Sequence, residues 1–123
     1  MKLMKIETVT SDAIVANTGT IINVDLENLE INIGASATTT TLVGAFGTMT
    51  FTVDGTDAAE KLLNCSKIGV YLAERIAELC GDKAHSKHTI FNLIPTIAEF
   101  HTKTGIVHTG GTANTALVST ALS

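Results

Sequence analysis

The side chains best equipped for chemistry gather in the second half of the chain: Cys80, His85 and His88, with His101 and His108 further on. Cys-x4-His-x2-His offers soft and borderline donors of the kind zinc accepts. A second nearby cysteine, as in a zinc finger, is missing, and Cys65 lies two helical turns or more away. We favour the plainer reading, in which these histidines are polar loop residues near helix ends, where a cation is welcome. No metal ligand is therefore assigned. A Cys80–His85 pair has the composition of a nucleophile and its base. Cys80 closes an expected helix, however, and the dipole there disfavours a thiolate.

Three further clusters have similarly plain explanations. Gly110-Gly111-Thr112 stands before a possible helix and has the makings of an anion nest. It lacks the lysine and the remaining glycines of a phosphate loop, so we read it as a hinge. Glu74 and Glu78 are four apart, the spacing of paired carboxylates on one helix face. With Lys61, Lys67 and Arg75 on the same helix, they read as a solvated face. Thr38 to Thr41 form either a hydroxyl ladder or a loop. Ice-binding surfaces also use threonine arrays, but over many regular strands, and only one such strand is legible. No catalytic residue, cofactor or metal follows from these clusters, and the chain is read as non-enzymatic.

The elements that would position these residues fall into three zones. Residues 1–55 are β-rich. Lys2 to Val9 alternates loosely, Ala13 to Asn17 is a short apolar run, and Asn17-Thr18-Gly19-Thr20 has turn chemistry. Ile22, Val24 and Leu26 share one face of the next run, and Leu29 to Ile33 alternates before Gly34. Thr38 to Val43 is β-branched. In Thr48 to Val53 the threonines all face one way, while Met49, Phe51 and Val53 face the other. The short links favour antiparallel pairing.

Residues 56–103 are helical. Asp57 and Glu60 have capping-box spacing. Leu62, Cys65, Gly69, Leu72, Ile76 and Leu79 step by three and four, predicting one amphipathic helix over about 57–80 that stops at Gly81. Gly69, Ala73 and Ala77 make a second row of small residues, suited to packing on the domain's own sheet or on a second subunit. Pro95 suits a first helical turn, predicting a short helix over 95–102 that Gly105 caps. Residues 104–123 form a strand or arm: Ile106 to His108 as a further strand, and 112–123 as a short helix or an extended arm. The expected fold is one α+β domain spanning 1–123. It has a mostly antiparallel N-terminal sheet of four to six strands, one long packing helix, short helical segments and a C-terminal arm.

The chain has 123 residues, 16% charged and 45% apolar, with 20 threonines, 10 glycines and a net charge of −4. The apolar content argues against disorder. Only one of its eight cations is an arginine, and 4% of residues are aromatic. That is a poor match to phosphate neutralisation and base stacking, so no nucleic-acid partner is expected. An anionic membrane surface is matched as poorly. The charge-free stretch 31–53 is long enough to span a membrane, but its threonines, glycines and Asn32 argue against a helical span. No secretory signal is evident, because Glu7 and Asp12 interrupt the N-terminal apolar residues. Both cysteines are read as reduced and half-buried, in an intracellular product.

Where charge is missing is the more informative observation. Residues 31–53 and 104–123 contain none, which is 43 of 123 residues. Surfaces normally carry dispersed charge, so long neutral segments point to contacts with other subunits. The expectation is a non-enzymatic, self-assembling structural protein that forms a homo-oligomer or joins other structural subunits. A viral (bacteriophage) virion component such as a capsid decoration, minor coat or tail protein fits that size and composition, and would place it in the virion. The alternative is a small cytoplasmic α+β enzyme or ligand- or metal-binding domain with its site near His85, His88 and His101.

Overall fold

The computed structural model describes residues 3–11, 13–24, 28–81, 90–106 and 117–123. Among these lie seven strands and two helices, in the order β1 (Leu3–Thr10), β2 (Ala13–Asn23), β3 (Glu30–Ser36), β4 (Thr39–Gly44), β5 (Gly47–Val53), α1 (Ala58–Gly81), β6 (Phe91–Asn92), α2 (Ile97–Thr104) and β7 (Leu117–Leu122). The fold is α+β: one mostly antiparallel sheet, ordered β2-β1-β7-β5-β4-β3, carries the long helix, and β6 joins β1 in parallel.

Two-residue loops set the registers of β3–β4 and β4–β5, where Ser36 faces Thr39 and Gly44 faces Gly47. Gly47 has φ 116°, and a Cβ there would come within 2.7 Å of Ser123 O, so only glycine fits. The turn expected at Asn17–Thr20 does not reverse the chain. It lies inside β2, where Asn17 adopts φ 63° and the pairing with β1 shifts register between Glu7 and Val9. Residues that tolerate positive φ make a bulge here rather than a turn, and the reversal occurs at Ser11.

α1 begins as its capping residues predict: Asp57 Oδ1 accepts from Glu60 N–H at 2.8 Å, and Glu60 Oε1 accepts from Thr56 N–H at 2.8 Å. Cys65, Leu72, Ile76 and Leu79 are buried as their spacing requires, joined by Ile68. Leu62 departs from the expected face and is half exposed, its side chain lying beside Gly34 of the edge strand β3. α2 starts two residues later than expected. Thr96, not Pro95, sets its start, because the Thr96 hydroxyl accepts from Glu99 N–H at 3.1 Å. Gly105 caps its other end with φ 69°, donating to His101 O.

The largest difference concerns the C-terminal segment. Of the two alternatives for 112–123, the extended one holds over Leu117–Leu122, but as a central strand rather than an arm. β7 lies between β1 and β5, and Leu117 is fully buried. Residues 107–116, with the expected strand at Val107–His108, lie outside the described residues. The core sits between sheet and helix, where Leu42, Met49 and Phe51 meet Cys65, Ile68 and Leu72. Phe100 of α2 closes one end, edge-on to Tyr71 at 5.0 Å.

Candidate functional site

Of the candidate ligands, His85, His88 and His108 lie outside the described residues, as does Gly110-Gly111-Thr112. Cys80 is half-buried on the β3 side of α1, and His101 lies on α2. Among the described residues no three His, Cys, Asp or Glu side chains come close enough to share a metal ion. Cys65 is fully buried rather than half-buried, and burial pushes its thiol up. Glu74 and Glu78 are both exposed, and Glu78 pairs with Arg75 at 3.2 Å.

Arg75 itself leaves the solvated face assigned to it. It is buried, its guanidinium lies 4.0 Å from the centre of the Phe91 ring, and Nη2 donates to Asn92 O at 2.5 Å. The physical reason is the flat, weakly hydrated guanidinium, which stacks on an aromatic face while hydrogen bonding a carbonyl. Two other buried polar groups hold the same stretch of chain. Tyr71 Oη donates to Leu93 O at 2.6 Å, and Ile94 N–H donates to Glu7 Oε1 at 3.2 Å. Burial pushes the Tyr71 phenol up to about 12. Residues 91–94 thus lack a long strand pairing and are fastened instead by three side chains. The cluster ties side chains of α1 and β1 to the backbone of residues 92–94 and is a structural clamp.

The hydroxyls follow two patterns. Thr40 and Thr120 point inward. Thr40 Oγ1 donates to Cys65 O at 2.8 Å, tying β4 to α1. Thr120 Oγ1 donates to Glu7 O at 2.7 Å and accepts from Val9 N–H at 3.1 Å, on the side of β1 that faces β7, where the two strands pair only at Thr10 and Ser119. The outward hydroxyls form a surface. Thr39 pairs with Thr52 and Thr41 with Thr50, while Thr48 faces Val43 and Ser119 faces Thr52. All six hydroxyl residues are half-buried, on the side of the sheet away from α1. The threonine pattern legible in β5 therefore extends across β4, with Ser119 of β7 beside it.

This face joins the two charge-free segments of the chain. Residues 31–53 supply β3, β4 and β5, and 117–122 supply β7, the neighbour of β5. Glu30, at the edge of β3, is the one charge on these four strands. Beyond it β3 has a free backbone edge, since β4 is its sole neighbour among the described strands.

On the helix side, α1 and β3 meet along an apolar seam. Ile33 lies directly over Gly69, where an added Cβ would come within 2.3 Å of Ile33 Cγ1. The first member of the small-residue row thus packs on the protein's own sheet, while Ala73 and Ala77 remain exposed. Both line a groove of about 410 Å³ with Leu29, Glu30, Ile31, Ile76 and Cys80. Among the described helices none is long and apolar enough to cross a membrane. No protein family, curated protein or solved structure matches the chain.

Proposed function

We propose that this protein is a non-enzymatic structural subunit that assembles with copies of itself, and that a virion is the setting its size and composition suit best. The observation that carries the reading is the juxtaposition of the two charge-free segments in one sheet. Side by side, they make a broad neutral face of threonine and serine hydroxyls. A surface bathed in water gains solubility from charge, whereas a surface that meets another protein loses affinity for every charge it must desolvate. Hydroxyls satisfy both demands, since each donates and accepts and costs far less to desolvate than a charge. The burial of Arg75, Tyr71 and Phe100 also takes the single arginine and two of the five aromatic rings away from any nucleic-acid surface.

Light scattering coupled to size-exclusion chromatography tests the reading. The chain should run as an oligomer in the micromolar range. Thr50→Lys places one charge at the centre of the face, between Thr41 and Ala121. It should reduce assembly while leaving the circular dichroism spectrum unchanged. A wild-type chain that stays monomeric throughout that range would overturn the proposal.

A further inference from the structure

We draw no further inference here: the strongest candidate, the exposed apolar stripe of α1 from Leu62 to Ala77 with the groove it borders against β3, carries nothing further because nothing in the structure shows what covers it.

Discussion

Single side chains in this protein do work usually done by the backbone ladder. Thr120 serves as donor and acceptor to two main-chain groups of β1. Thr120→Val preserves its shape and leaves Glu7 O and Val9 N–H buried without that partner, at a cost of roughly 1–3 kcal/mol. Urea unfolding should show this as a lower midpoint with an unchanged slope, and an unchanged midpoint would refute it. Glu7 has the opposite character. Burial pushes its carboxyl above the ordinary 4.5, while the bond from Ile94 N–H and the nearby Lys5 and Arg75 charges pull it back. The folded chain therefore holds this proton to higher pH than the unfolded chain does. As pH rises above 4.5 the unfolded carboxyl ionises first, and stability falls until the folded one follows. Glu7→Gln keeps an acceptor for Ile94 N–H and removes the titration. Its stability should decline less between pH 4.5 and neutrality than that of the wild type, and parallel profiles would count against this account.

At the scale of elements, the last strand holds the sheet together. β7 pairs with β5 along its length and meets β1 at Thr10 and Ser119. The N- and C-terminal strands are thus neighbours, and Val9 and Thr120 bond across 111 positions. Contacts of such separation form late, because closing the loop must precede any gain from pairing. A chain ending at residue 116 should therefore lose cooperative thermal unfolding, rather than yield a folded protomer that merely fails to assemble. A cooperative transition near the wild-type midpoint would show β7 to be dispensable. The other strands hold by local rules: two-residue loops join β3, β4 and β5, so this meander could be read from its alternation alone. The bulge in β2 could not. Asn17 and Gly19 carry the same signal whether the chain reverses or bends, and only pairing with β1 decides between them.

For the whole molecule, the hydroxyl face gives the proposed assembly a salt signature. No charged side chain lies on the outward side of β4, β5 or β7, so a contact made there has no ion pairs for salt to screen. Size-exclusion chromatography with light scattering should find the same oligomer at low and high ionic strength, and dissociation as salt rises would count against this face as the interface.

Much of this molecule is written locally. The three-and-four spacing from Cys65 to Leu79 determines α1, the alternation of Thr48–Val53 determines β5, and Gly105 ends α2, because each depends on neighbours within a few residues. The neutrality of 31–53 and 104–123 is also plain from composition. Only the tertiary structure decided that these two segments adjoin, that Thr40 and Thr120 turn inward while Thr39 and Thr41 turn outward, and that Arg75 is buried on Phe91. Those outcomes depend on partners far along the chain. A threonine carries the same hydroxyl in either direction, and what gives it a role is whether water or an unpaired backbone group lies opposite.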